Sequence, residues 1–176
     1  MKRIIIILAI MTSVPFCVFS QKGIKYIQVS GQAAIPVSDL TDIVKTGFGF
    51  AGKGIYGFSL KPQAFTLEGG YNRFAVKDLP SDASAHYSAI PVYAGYRANL
   101  SNVVLESQAG VSFNRIAGSS QAGSASANQT AFGWALSAAY LYKSFELGIR
   151  YQSSEGSKDV SVIRFLGVRL GYNISL

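Results

Sequence analysis

The only histidine of the chain, His86, stands two residues before Ser88 in the stretch "HYS". An imidazole beside a hydroxyl is the minimum for nucleophilic hydrolysis, but the pair works only if a carboxylate fixes the imidazole in place. The nearest acids are Asp78 and Asp82, both in a polar link. A histidine at the rim of a strand is the plainer reading. A second pattern, "GFGFAGK" over residues 47–53, satisfies both G-x-G-x-x-G and G-x-x-x-x-G-K, spacings that cradle phosphate when they open a helix. Here Gly54 stands where a hydroxyl residue would bind the metal, and "IYGF" carries on an alternating strand. These glycines fit close strand packing rather than a nucleotide.

A third set is electrostatic: Lys53, Glu68, Arg97, Glu106, Glu146, Arg150 and Arg169 all have the same parity within alternating segments. Four bases and three acids on one face carry meaning only if the segments that hold them are known. From Ile24 onward the apolar period is two, the signature of strands. Eight such segments are expected at 24–35, 47–58, 63–74, 87–99, 103–116, 130–142, 145–153 and 161–175. The first, third, fifth and seventh links are long and polar, whereas "SLKPQ", "LSN" and "KS" are short. That order suits a membrane barrel that starts in the periplasm, with long outer loops and short inner turns. The stretch 116–129, rich in Ala, Ser and Gly, reads as the most mobile loop.

Alternation alone does not say which face is inside, since a soluble lipocalin-like barrel alternates too. The chemistry of the two parities does. One set holds Phe50, Tyr56, Phe65, Leu67, Val92, Val111, Phe132, Leu136, Tyr140, Leu147, Ile149, Val168, Leu170 and Tyr172, with aromatics gathered near the strand ends. The other holds Gly, Ala, Ser, Gln and Asn with the seven charges. Small residues suit the narrow interior of an eight-stranded barrel. Only Arg73, Arg115 and Arg164 are charged on the apolar parity, and all three sit at the long-link ends of their segments. No charge remains for the middle of the apolar belt, where Arg or Lys costs roughly 2–4 kcal/mol in lipid. The seven charges then face the lumen and must pair. Lys53, Glu68, Arg150 and Arg169 are expected near mid-height, with Arg97, Glu106 and Glu146 nearer the short turns. Such a ladder would plug the barrel; a gated ion path is the functional alternative. The three rim arginines are candidate lipopolysaccharide contacts, since guanidinium binds phosphate through forked charge-assisted bonds; snorkelling to the interface would place them there equally well.

The ends agree with export. "MKRIIIILAIMTSVPFCVFS" has a basic start, an apolar run and small residues before Gln21, which describes a signal peptide cleaved after Ser20. The run is interrupted by Pro15 and too short for a membrane-spanning helix, and "VPF" before Cys17 lacks the usual residues of a lipoprotein signal. Removing 20 of the 176 residues leaves 156, without a cysteine, as one domain over 21–176. Loss of Lys2 and Arg3 lowers the net charge from +7 to +5. The bases do not cluster, which argues against nucleic acid, and no metal site or cofactor is expected. Charged residues make up 14% of the chain, well below the usual share for a soluble protein. Asn-x-Ser/Thr matches at Asn99, Asn128 and Asn173 are uninformative in such a protein.

With these features the chain resembles the eight-stranded outer-membrane β-barrel domain family of the OmpA-transmembrane and OmpX type, a porin-family fold. The closing "RLGYNISL" is similar to that family's assembly signal, with Arg169, Gly171, Ile174 and Leu176 at the matching positions and Leu176 where Phe is usual. "IPVYAGYR", residues 90–97, is similar to fourth strands of the family. The resemblance implies an all-β, antiparallel up-and-down transmembrane barrel in the outer membrane, monomeric, in contact with lipid and lipopolysaccharide and inserted by the barrel-assembly machinery. It implies a non-enzymatic role in envelope integrity or in surface interaction through the outer loops. His86 and Ser88 are also similar to the His-x-Ser pair of outer-membrane lipid A deacylases, which makes a lipid enzyme the second reading. The asparagine and glutamate that accompany that pair in the deacylases are missing downstream.

Overall fold

A computed structural model of the chain describes residues 25–38, 40–58, 63–80, 83–120, 123–155 and 163–176. The expected signal segment 1–20 lies outside them, as do Lys22, Asp39, Lys61, Asp82, Lys158 and Asp159. Eight strands follow one another: β1 Lys25–Pro36, β2 Gly47–Gly57, β3 Gln63–Ala75, β4 Ser84–Leu100, β5 Val103–Ser120, β6 Gly123–Tyr142, β7 Phe145–Ser154 and β8 Ile163–Ser175. A single helical turn, α1 Leu40–Ile43, interrupts the first link. Each strand pairs with the next, and β8 closes on β1, giving one closed antiparallel barrel. The seam runs from Tyr26↔Ser175 to Pro36↔Phe165, so no lateral edge remains within the barrel.

Burial follows parity. On β2, Gly47, Gly49, Ala51, Lys53 and Ile55 are buried while Phe48, Phe50, Gly52, Gly54 and Tyr56 are exposed. Outside, large apolar side chains stand exposed on every strand, Leu67 at 63% and Phe50 at 62% among them. That surface would be untenable in water over this extent and is the surface hydrocarbon demands. Aromatic contacts gather in two bands. Near the short turns Phe58 stacks on Phe65 at 4.4 Å and Phe145 meets Tyr172 at 5.1 Å; near the long links Phe50 meets Tyr71 at 5.6 Å and Trp134 meets Tyr151 at 5.5 Å. Ring systems at both rims of the belt match the girdles of outer-membrane barrels.

Two features differ from the sequence reading. Residues 116–120 and 123–129, expected as a loop, lie in strands: β5 and β6 continue as a ladder from Ile116↔Ala127 to Ser120↔Gly123. Both faces of this hairpin are solvated, so it has no apolar alternation to signal strand, and backbone pairing alone carries it. β4 likewise starts at Ser84, three residues before the expected segment, and pairs with the same extension. The second difference is inside. Phe74, Tyr87 and Phe165 have lumen parity and are buried with Ala34, Leu40, Val44, Ala89 and Ile163 in an apolar cluster at the long-link end. Phe74 lies 5.3 Å from Phe165 and 6.0 Å from Tyr87. The first link folds over this cluster: Val44 bridges Val76, Lys45 N–H donates to Ala75 O at 2.8 Å, and Lys77 N–H donates to Ile43 O at 2.9 Å.

Candidate functional site: the lumen charges and an outward arginine pair

Strand register brings the lumen charges together. Lys53 stands opposite Glu68 across β2 and β3, and Arg97 opposite Glu106 across β4 and β5. All seven charged side chains are buried, Arg150 at 0% exposure. Glu68 is the hub. Its carboxylate receives two parallel hydrogen bonds from Arg169, at 2.7 and 2.9 Å, and lies 3.2 Å from Arg150 Nη2 and 3.4 Å from Lys53 Nζ. Glu106 is the second hub, with Lys53 Nζ at 2.6 Å, Arg97 Nη1 at 3.7 Å, and donation from Thr66 Oγ1 at 2.7 Å and Gln108 Nε2 at 2.8 Å. Arg97 then reaches Glu146 at 2.6 Å. Lys53 joins the two hubs, so all seven form one connected network.

Neutral side chains complete it. Arg150 donates from Nη1 to Gln108 Oε1 at 2.5 Å and from Nε to Gln152 Oε1 at 3.3 Å; Arg169 donates from Nε to Gln32 Oε1 at 3.2 Å. Above this layer Ser112, Asn114 and Ser154 form a short chain of hydrogen bonds. Tyr93, fully buried, lies under the Arg150 guanidinium at 5.8 Å. The lumen therefore has a charged layer toward the short turns and the apolar cluster toward the long links. A charge in low dielectric is tolerable only with such partners, and here each acid has at least one contact of 2.6–2.7 Å to a cation.

The rim arginines do not form one group. Arg73, Ser88 and Arg115 share a single outward row, Arg73↔Ser88↔Arg115↔Asn128, across β3 to β6. Arg164 lies on β8 beside Ser153, three strands from Arg73 around the wall. Both Arg73 and Arg115 are exposed, and Ser88 is covered between them, its hydroxyl donating to Arg115 O at 3.4 Å. His86 sits one outward position nearer the tip on β4. Among the described residues no hydrogen bond or ion pair joins it to a carboxylate, and the Ser88 hydroxyl turns to a backbone carbonyl instead. No group of three or more His, Cys, Asp or Glu residues able to hold a metal occurs among them either. In the terminal signal, Arg169 and Gly171 point inward, while Ile174 and Leu176 are exposed at the seam.

These features match known barrels. The family description "Outer membrane protein beta-barrel domain" covers residues 5–173. No curated protein matches the chain. Among solved structures, the chain is similar to Ail, the attachment invasion locus protein of Yersinia pestis, solved in complex with the heparin analogue sucrose octasulfate, at 18% identity and a TM-score of 0.66 over 88% of this chain and 100% of that one. It is similar to Neisserial surface protein A at 20% identity and a TM-score of 0.58, over 86% of this chain and 97% of that one. The N-terminal β-barrel domain of Pseudomonas aeruginosa OprF gives 12% identity and a TM-score of 0.59, over 87% and 100%. At these identities the three share a fold with the chain. With the closed eight-stranded barrel, its apolar belt and its inward charges, the match over most of the length means that the chain belongs to the outer membrane protein beta-barrel domain family.

Proposed function

We propose that this outer-membrane barrel is a sealed, non-enzymatic envelope protein that acts through its wall and its outer extension rather than through a pore. The observation that carries this reading is the seven-residue charge network, every member of which is buried and partnered. An eight-stranded barrel has room for side chains but not for an aqueous channel once they interlock. The apolar cluster of Phe74, Tyr87 and Phe165 adds a second barrier at the opposite end of the lumen. Purified barrel in planar bilayers should give no stable openings; steady conductance of porin size would overturn the reading.

A second element of the reading is attachment to lipopolysaccharide. It is supported by Arg73 and Arg115, two strands apart in one row on either side of Ser88. With strands about 4.8 Å apart, their Cα atoms are separated by roughly 9.6 Å, so two guanidinium groups can grip one phosphate or two neighbouring ones. Arg164 acts separately, on another side of the wall. Combined Arg73→Ala and Arg115→Ala substitution should lower co-purifying lipopolysaccharide and heat stability in lipid, and Arg164→Ala alone should do less. Unchanged retention in the double variant would rule phosphate binding out.

A further inference from the structure

On the outer face of each strand, from its first large apolar residue to its last, the positions are filled by Gly, Ala, aliphatic or aromatic residues. Among the described residues there is one exception, Ser107 on β5. It lies four residues beyond Val103 at the short-turn end of that strand. At about 3.4 Å per residue and a tilt of 35–45°, it stands roughly 10–11 Å into a belt about 25 Å tall. Its side chain is exposed on the wall, and among the described residues no hydrogen bond reaches it.

Ser107 opens into a groove of about 490 Å³ on the outer wall. Ala98 and Ala138 are the other small residues there, with Tyr96, Leu136 and Ile149 among the larger side chains around them. Lipid chains can fill such a groove, but at this depth they offer neither donor nor acceptor, and water is excluded. A hydroxyl left unpaired in hydrocarbon is unfavourable, so only a protein surface at the same depth relieves it. The other patch of small outward residues, Gly52, Gly54 and Gly69, has no polar side chain and makes no such demand.

A second copy turned about an axis along the membrane normal meets the demand. The rotation keeps depth and brings the same patch of each copy face to face, so Ser107 meets Ser107. A hydroxyl is both donor and acceptor, which makes that pair self-complementary, and the alanines beside it let two walls approach closely. We propose that two copies of this chain associate in the membrane through the wall from β4 to β7, about a two-fold axis passing between their Ser107 hydroxyls. The family resemblance implies a monomer, and this wall is where the chain departs from it. Three strand spacings, roughly 14 Å, on a curved surface bury less than the ~1,000 Å² of a lasting interface. The pair is therefore weak and reversible, and one hydroxyl contact is a large share of what holds it. The inference rests on the apolar belt lying in lipid, and not on the sealed lumen or on phosphate binding at the rim.

The chain from Gln21 on holds all eight strands and no cysteine, so single cysteines can report the contact. In dilute phosphatidylcholine vesicles treated with copper phenanthroline, Ser107→Cys should give a disulfide-linked dimer. Gly52→Cys, three strands away and with free space for a side chain, should not. Sedimentation equilibrium in density-matched detergent then measures association without any cysteine. Ser107→Ala should weaken it about three- to tenfold, the range for one polar contact between membrane segments, and Ala138→Trp, which fills the groove, should abolish it. Heat-modifiable gel mobility verifies that each variant is folded. Monomers at every concentration, as when a lipid chain occupies the groove, would overturn the proposal. So would equal crosslinking at Gly52→Cys, or unchanged association in Ser107→Ala. Planar-bilayer conductance and lipopolysaccharide retention report on the proposed function separately.

Discussion

The Tyr93 hydroxyl occupies the space that a side chain at Gly133 would fill: a Cβ on Gly133 would lie 2.1 Å from that oxygen and 2.8 Å from the ring carbon bearing it. The two residues share a row, Tyr93↔Gly110↔Gly133, with Gly110 between them. The aromatic side chain lies along the inner wall over two glycines, and both are therefore steric requirements. At Gly110 a Cβ would meet Val92 O at 2.2 Å, which only a backbone shift can relieve.

Gly133→Ala should accordingly destabilise the barrel by about 1–3 kcal/mol, the usual range for overpacking. Shortening the tyrosine should recover part of this, so Gly133→Ala/Tyr93→Leu should cost less than the sum of its single changes. By contrast, a Cβ at Gly52 or Gly69 would meet nothing within 4 Å. Gly52→Ala and Gly69→Ala should be neutral or mildly stabilising, by up to about 1 kcal/mol through the unfolded chain. Urea unfolding in lipid vesicles checks both; equal costs at Gly133 and Gly52 would show that the tyrosine is not tightly held.

The charge network predicts a ranking. Glu68 meets three cations, Arg169, Arg150 and Lys53, whereas Glu146 meets Arg97 alone and lies nearer the turn. Glu68→Gln leaves three buried cations short of an acceptor and should cost about 3–5 kcal/mol, the range for breaking a buried pair from one side. Glu146→Gln should cost less. Arg150→Gln should also be severe, yet the double variant Glu68→Gln/Arg150→Gln should be milder than additive because the two charges leave together. A shift in heat-modifiable gel migration and the unfolding midpoint measure this, and a larger loss at Glu146 than at Glu68 would contradict the hub geometry.

What could be read in advance followed the strength of each physical demand. Lipid admits no charge at mid-belt, so Leu67, Leu147 and Ile149 declared the outer face and left Glu68, Glu146 and Arg150 for the inside. The apolar cluster was hidden because the pattern inverts at the rim: Phe74, Tyr87 and Phe165 face inward while their neighbours Arg73, Ser88 and Arg164 carry the outward parity, so the rule read from the belt, apolar out and polar in, no longer holds there. The β5–β6 extension was hidden for the opposite reason, both faces being small and wet. Arg73, Arg115 and Arg164 looked alike in sequence, and only the register of four strands pairs two of them and separates the third.

The apolar cluster should hold the first link in place. Phe165 is buried at 1% exposure against Phe74, and α1 contributes Leu40 to the same cluster. Phe165→Ala removes a full ring, a loss of about 3–5 kcal/mol in a packed core, but the strand ladder below does not depend on it. The expected result is local release rather than unfolding. Lys45 and Lys77, whose backbone N–H groups are tied to Ala75 O and Ile43 O, should become trypsin-sensitive in intact vesicles. The barrel itself should keep its heat-modifiable mobility. Wild-type resistance at both lysines in the Phe165→Ala variant would mean that the link is held by its backbone bonds alone.

The two-residue turns after β4 and β6 make a last prediction about strain. Lys143 and Ser101 begin the β6–β7 and β4–β5 turns with φ of 54° and 60°. Two-residue hairpin turns need positive φ because it matches the twist of the flanking strands, and for a residue with a Cβ this costs roughly 1–2 kcal/mol. Glycine avoids that cost. Lys143 recovers part of it by placing its ammonium 5.6 Å from the Tyr142 ring centre, worth about 0.5–1 kcal/mol at an exposed site. Ser101→Gly should therefore raise the unfolding free energy more than Lys143→Gly, and Lys143→Val, with a β-branched side chain at positive φ, should lower it. Equilibrium unfolding of the three variants orders them, and a net loss of stability in Ser101→Gly would mean that its hydroxyl, not its backbone angle, sets the turn.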